Sequence, residues 1–208
     1  MVLVLVVGDT WIPQRASGVP EVFRKMFTPG RIHKVLITGG VGCKEMYDYL
    51  RTIAAEVHCT ASEVDRQWTD RFPERVVLTV EGLKIGLIHG HQVVPLGDKD
   101  SLAAVQREMD VDVLVSGGTF HSKYFEFDSN LFVNPGSLSG ADDVTETDIP
   151  PSFMLLDIQD KSVVTFIYQY QPENTGDEAA QTDNGAGGTP PGLKIKKKEW
   201  VKEYQKVS

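Results

Sequence analysis

The chain has 208 residues, 41% of them hydrophobic and 24% charged, with 21 basic and 29 acidic residues for a net charge of −8. That balance fits one globular domain able to bury a core without disulfide or metal staples, and it excludes wholesale disorder. It also argues against a nucleic-acid partner, because neutralising phosphates needs a basic surface. Cys43 and Cys59 form no ligand pattern. They permit one disulfide, although two lone thiols fit a reducing compartment better. The apolar run Met1–Val7 is followed at once by Asp9, has no basic leader and is too short for a signal peptide or membrane span, which points to a cytoplasmic protein.

Val2–Val7 is a continuous β-branched and leucine run, the pattern of a strand buried on both faces. Pro20 suits a helix first turn, and Phe23, Met26 and Phe27 follow at helical spacing until Pro29-Gly30. Lys34–Thr38 reads as a second strand. Residues 43–55 read as a helix burying Met46, Leu50 and Ile53, and Glu56–Thr60 as a third strand. Val76–Val80 and Lys84–His89 flank the hairpin turn Glu81-Gly82. Asp98 or Asp100 can cap a helix carrying Leu102, Val105 and Met109, and Val111–Ser116 is a further strand. Two more strand pairs follow: Tyr124–Phe127 with Leu131–Val133, turned by Asp128-Ser129-Asn130, and Phe153–Ile158 with Val163–Tyr170, turned by Asp160-Lys161. This order predicts an α/β first half packed on an antiparallel second half.

Residues 172–192 hold five glycines, three prolines and four acids, with no Val, Ile, Leu, Met or aromatic, and are expected to form a disordered loop. Leu193–Ser208 then resumes with Ile195, Trp200, Val201 and Tyr204 among six lysines. The lysines read as edge-strand protection or, more sharply, as a basic membrane patch.

Polar residues collect where strands end: Asp9, Gly39-Gly40, Glu63 and Asp65, His89-Gly90-His91, and Ser116–His121. Ligand sites of open α/β sheets gather at such carboxyl ends. Gly39–Gly42 opening a helix could cradle a phosphate, but it lacks the Lys-Ser/Thr ending of a P-loop. Cys43 has no His and acid beside it in sequence to activate it. His33 and His58 flank strands as surface or satisfied structural residues.

Taken in order, Gly8-Asp9, Thr38-Gly39-Gly40, Gly86–His91, Ser116-Gly117 and Asn134-Pro135-Gly136-Ser137 resemble the calcineurin-like metallophosphoesterases. Longer segments, Lys84–Val93, Pro151-Ser152-Phe153 and Lys44-Glu45 with Tyr47–Leu50, are similar to the branch of that family that forms the small subunit of retromer. The resemblance covers residues 1–171 and 193 to about 200, and it implies one domain over 1–208. The implied fold is an α/β, metallophosphoesterase-like β-sandwich of mixed sheets flanked by helices in αββα layers, with 172–192 as an insertion before a last strand near 193–200.

The enzymes of the family clamp a phosphoryl group between two metal ions about 4 Å apart. Set against their ligand pattern, Asp9 and His89 are kept, Glu63 is a carboxylate one methylene too long, and Gly40 stands at the bridging position. Trp11, Gly118 and Phe120 stand where three histidines belong, and His121 lies one residue late, on the other face if the strand persists. The implied cofactor is none, or at most one weakly bound divalent ion on the vestigial positions Asp9, Glu63 and His89. Trp11 and Phe120 read as rings filling the former cavity, with a solvent-facing Trp11 as the plainer alternative. Asn134–Ser137 is also simply good turn chemistry, and His91 is an orienting neighbour rather than a ligand.

The resemblance also implies two protein-binding faces. Val93, Val94, Pro95 and Leu96 would dock on the large helical-solenoid retromer subunit, or simply cover a sheet edge. Leu3, Met26, Leu155, Phe166, Tyr168 and Ile195 would form a patch for regulator proteins with hydrophobic, proline-containing segments. Phe166, Tyr168 and Tyr170 alternate and share one side of a strand, so the same row could instead be core between two sheets. The favoured expectation is a non-enzymatic scaffold in endosomal protein sorting, cytoplasmic and held on endosomal membranes only through its complex. The alternatives are a phosphoesterase with one retained ion, and a phospholigand binder using Gly39–Gly42.

Overall fold

Strand β1 (Val2–Val7) organises the molecule: Val4 to Val7 are wholly buried, so both faces and both edges of the strand need partners. On one side it pairs in parallel with β2 (Lys34–Ile37), which continues to β3 (Glu56–Cys59). On the other it pairs antiparallel with β9 (Ser152–Gln159), with Leu5 opposite Leu155. β10 (Ser162–Tyr170) and β11 (Leu193–Val201) complete a six-stranded sheet of order β11-β10-β9-β1-β2-β3. The second sheet has the order β4-β5-β6-β8-β7, from β4 (Arg75–Val80), β5 (Leu83–Ile88), β6 (Val113–Val115), β7 (Ser122–Phe127) and β8 (Asn130–Pro135). The computed structural model describes residues 1–141, 146–171 and 190–202.

The division into an α/β first half and an antiparallel second half is therefore corrected. β9–β11 return to complete the sheet that β1–β3 begin, and the second sheet itself mixes parallel pairs (β5 with β6, β6 with β8) with antiparallel ones. The αββα layering is as expected. Val4, Val6, Met154, Leu156 and Trp200 of one sheet meet Ile85, Leu87, Val113 and Val133 of the other. Helices α1 (Glu21–Met26) and α2 (Lys44–Arg51) cover the outer face of the first sheet through Phe23, Met46 and Leu50, and α3 (Lys99–Met109) covers the second through Leu102 and Ala103.

Local chemistry sets the boundaries. Asp98 caps α3 by accepting from Ser101 N at 2.9 Å. Glu81-Gly82 and Asp128-Ser129 turn their hairpins with positive φ at both central residues, the geometry of a tight primed turn. The helix expected over 43–55 stops at Arg51, where Thr52 Oγ1 donates to Tyr49 O, yet Ile53 stays buried on the turn that follows. Both cysteines are free. Most of the 172–192 stretch, and Tyr204, lie outside the described residues. Pro190–Gly192 do not: Leu193 N bonds to Pro190 O, and Gln171 N to Gly192 O, closing the entry to β11.

Candidate functional site

The carboxyl ends of β1, β2, β3, β5, β6 and β8 all open on one apex, and Asp9 lies at its centre, 1% exposed. Its Oδ2 accepts from Gly118 N at 3.0 Å. Its Oδ1 lies 3.3 Å from Trp11 Nε1, which donates to it, and 3.3 Å from His89 Nε2. His89 Nδ1 faces His91 Nδ1 at 3.1 Å, and His91 Nε2 lies 3.6 Å from Glu74. Burial opposes charge on His89, but the hydrogen bond and charge of Asp9, with Asp65 and Glu63 nearby, outweigh it and hold its pKa above the usual histidine value. Burial and the neighbouring His89 push that of His91 down. His91 thus stands between His89 and Glu74, within hydrogen-bond distance of His89.

The loop after β2 is held from beneath. Asp65, 1% exposed, accepts from Gly40 N through Oδ2 and from Gly42 N through Oδ1, each at 3.0 Å, and takes Ser62 Oγ at 2.7 Å. Ser62 Oγ also accepts from Gly40 N at 2.9 Å. Two of the amides that a phosphate cradle over Gly39–Gly42 would use, those of Gly40 and Gly42, are thus already held by a buried carboxylate, which weighs against that reading. The sequence placed Asp65 among the strand-end polar residues without giving it a role; the signal for that role was the Ser-x-x-Asp spacing from Ser62, which brings both side chains to one point. Gly40 sits at φ +69°, and a Cβ there would lie 2.2 Å from Asp9 Oδ1 and 3.2 Å from Asp9 Cα. The bridging position has no room for a side chain while Asp9 stays in place.

Glu63 is exposed and forms none of the apex hydrogen bonds. Of the vestigial positions Asp9, Glu63 and His89, the structure brings only Asp9 and His89 into hydrogen-bond distance, and no group of three or more His, Cys, Asp or Glu side chains able to hold a metal occurs among the described residues. Phe120 is buried and packs with Ala141 and Ile149; Trp11 leans on this cluster with its centroid 6.3 Å from that of Phe120, and Arg15 stacks 4.0 Å over the indole. Trp11 is half-buried rather than solvent-facing. His121 points away, to Glu146 at 2.9 Å. Asn134 braces the turn after β8: its Oδ1 accepts from Gly136 N and its Nδ2 donates to Thr119. His33 Nδ1 accepts from Leu3 N, and His58 pairs with Glu56.

Residues 2–161 match the model of the calcineurin-like phosphoesterase superfamily domain. The vacuolar protein sorting-associated protein 29 of Schizosaccharomyces pombe is 35% identical over 171 residues, which is 80% of this chain and 90% of that protein. The chain belongs to the Vps29 family. The crystal structure of Chaetomium thermophilum Vps29 superposes with a TM-score of 0.83 at 32% identity, covering 97% of this chain and 98% of that one. The same protein bound to a RaPID-derived cyclic peptide gives 0.79 at 31% identity, covering 98% of each. The Vps29 of Entamoeba histolytica complexed with Zn2+ gives 0.80 at 37% identity, covering 95% of this chain and 99% of that one.

The two faces that the Vps29 resemblance implied are differently built. In the loop after β5, Val94 is 81% and Leu96 52% exposed and Pro95 is open, but Val93 is buried with Ile88, Leu102 and Phe132. Val93 is corrected to an anchor of the loop: the bend after β5 turns its side chain in against Leu102 and Phe132 while its neighbours stay outside. Leu96 Cδ1 approaches the space beside Gly118, so this loop adjoins the Asp9 pocket. On the first sheet, Leu155 lies opposite Phe166, and Tyr168 opposite Phe153 and Ile195. These residues face outward, away from the other sheet, which decides against core between two sheets. Tyr168 stacks on Phe153 at 4.6 Å. Leu3, Met26, Leu155 and Tyr168 pack half-buried against the helices, Phe166 is half-buried, and Ile195 is 45% exposed.

Proposed function

We propose that the chain is a non-catalytic scaffold, the small subunit of a retromer assembly. Its apex loop Val94-Pro95-Leu96 docks on the large helical-solenoid subunit, and its outer patch takes regulator proteins bearing hydrophobic, proline-containing segments. On this reading it works in the cytoplasm and reaches endosomal membranes only through its partners. The observation that carries it is the crowding at Gly40: the position that would bridge two metal ions has no space for a side chain, and its neighbour Asp9 is already bonded to Gly118 N, Trp11 and His89. A carboxylate committed to three donors and walled by Trp11 and Phe120 offers a surface rather than a reaction chamber. The Vps29 relatives named for protein sorting, and the peptide-bound relative, support the same reading. The test is co-purification. Val94→Asp abolishes association with the large subunit at unchanged thermal stability, while Ile195→Asp keeps the large subunit and loses regulators. Retained binding by Val94→Asp refutes the docking assignment.

A second reading, a phosphoesterase retaining a single ion, rests on one distance. The 3.3 Å between Asp9 Oδ1 and His89 Nε2 equals the separation, about 3.3 Å, of two ligands on a tetrahedral zinc with bonds of about 2.05 Å. Two donors fit one weakly held divalent ion and not a two-metal hydrolase. No hydrolytic step follows from them, since no second ion or further ligand side chain is placed to act.

A further inference from the structure

We propose that β11 is a docking edge for an extended acidic segment of a partner protein, which lies along the strand and adds to the six-stranded sheet. β11 ends the order β11-β10-β9-β1-β2-β3, so the main-chain groups that do not face β10 have no strand partner among the described residues. Along it, Lys194, Lys196 and Lys198 project to one side and Lys197 to the other, all exposed. No carboxylate pairs with any of the four among the described residues: Lys194 donates to Gln171 Oε1 and Lys197 lies 6.0 Å over the Phe166 ring. Elsewhere the surface cations commonly meet acids, as in Lys25–Glu21, Lys84–Asp110, Arg75–Glu108 and Lys202–Asp112. With four lysines against the single acid Glu199, the strand carries a net charge of +3 in a chain of net charge −8, the reverse of what the composition alone produces.

Edge lysines repel apolar or basic edges. That explains why a second copy would not pair here, since lysine would face lysine. The same lysines attract a strand whose alternate residues are acidic, because directly opposed charges on neighbouring strands stabilise the pair. Main-chain hydrogen bonds along a free edge supply affinity, and the side chains supply selection. On the outer side, Ile195 beside Tyr168 offers an apolar contact to the intervening residues. A bilayer is disfavoured: the lysines are split between two sides of a ribbon, and the net negative charge repels anionic lipid over the Debye length. The inference does not depend on the retromer reading.

The test uses the full chain and a labelled nine-residue peptide of alternating glutamate and valine, followed by fluorescence anisotropy and amide hydrogen exchange. The glutamate peptide binds, weakens with salt and protects amides of Leu193–Val201. Replacing its glutamates by glutamine, or the protein's Lys194, Lys196 and Lys198 by glutamine, weakens binding about tenfold, as three surface ion pairs would. An unchanged thermal midpoint shows that the glutamine variant is folded. Equal binding by the two peptides, or protection away from β11, overturns the proposal. So does sedimentation with phosphatidylserine vesicles in place of peptide binding, a dimer that protects β11 without peptide, or peptide binding that appears only when residues 172–189 are replaced by a neutral linker.

Discussion

Removing the Asp65 carboxylate should be the most damaging single change at the apex that touches none of the residues facing outward. The carboxylate is 1% exposed and accepts from Gly40 N, Gly42 N and Ser62 Oγ at 3.0, 3.0 and 2.7 Å. A hydrogen bond to a charged acceptor contributes about 1.5–3 kcal/mol, and a buried donor left without a partner costs about 1–3 kcal/mol. In Asp65→Ala, Gly40 N keeps Ser62 Oγ, but Gly42 N is stranded. Relief from burying a charge offsets part of the loss, so the expected cost is about 3 kcal/mol. For a chain of this size each kcal/mol lowers the melting point by about 2–4 °C, giving a fall of about 10 °C. Asp65→Asn keeps one acceptor oxygen and should lose about half as much. Glu63→Ala, two residues away and exposed, should stay within about 0.5 kcal/mol. Urea unfolding followed by circular dichroism measures all three, with an unchanged slope required for the comparison. Exchange at the Gly40 and Gly42 amides should accelerate in Asp65→Ala before global unfolding. A loss below about 1 kcal/mol would show that these amides do not depend on the carboxylate.

Restoring a side chain at the bridging position, as Gly40→Asn, tolerates the positive φ but drives Cβ against Asp9; it should destabilise by about 1–3 kcal/mol in thermal unfolding, and a neutral result would mean that Asp9 moves aside freely. Val93→Asp should unfold the loop end of the second sheet at a cost of about 3–5 kcal/mol by burying an unpaired charge, while Val94→Asp leaves the melting point unchanged; similar melting points would place both side chains at the surface. The hydrogen bond from Lys34, and then that from His58, hold the Glu56 carboxyl below its usual value. With a depressed folded-state pKa its contribution is present above the unfolded value near 4.5 and lost as pH falls through the folded one. Glu56→Gln should therefore flatten the stability–pH curve below about pH 4.5, by about 0.5 kcal/mol or less for so exposed a pair. An unchanged curve would show that the pair contributes nothing.

The strands were legible because their side chains obey simple periods. Val2–Val7 is apolar at every position, as burial on two faces demands, and each hairpin is marked by turn residues that accept positive φ. Pairing was not legible, since nothing in Phe153–Ile158 says that its neighbour is β1, about 150 residues earlier; that choice is made by β1, whose second edge would otherwise stay open. At the apex, the family pattern located Asp9, His89 and the vacated positions. It failed where a chain leaves a regular element. Beyond β3 the period-two rule lapses, so Glu63 turned out to solvent while Asp65 turned in. In Val93–Leu96 a uniform apolar stretch hid one inward residue among outward ones. Burial of a single loop side chain depends on what packs across from it, here Leu102 and Phe132, and adjacent sequence does not carry that information.

A divalent ion would have to compete for Asp9 against groups the fold already aims at it. Trp11 Nε1 and His89 Nε2 both converge on Oδ1 at 3.3 Å, long for hydrogen bonds, while Gly118 N holds Oδ2 at 3.0 Å. An ion entering between Oδ1 and Nε2 keeps both of those atoms near their present places and displaces only the indole. Zinc sites ordinarily have three or four protein ligands, so two leave the affinity low and the remaining coordination to water. Titrating the chain with Zn2+ should therefore give weak, one-to-one binding that changes Trp11 fluorescence. The change should vanish in Trp11→Phe although binding persists, which separates it from signals of Trp68 and Trp200. Asp9→Asn and His89→Gln should each remove binding, and Glu63→Gln should not, since that carboxylate faces solvent. Binding should also fade as pH drops and His89 takes up a proton, beginning at a higher pH than for an ordinary histidine because its pKa is raised. Two-to-one stoichiometry, or dependence on Glu63, would mean that the apex rearranges into the two-metal geometry that the contact at Gly40 forbids.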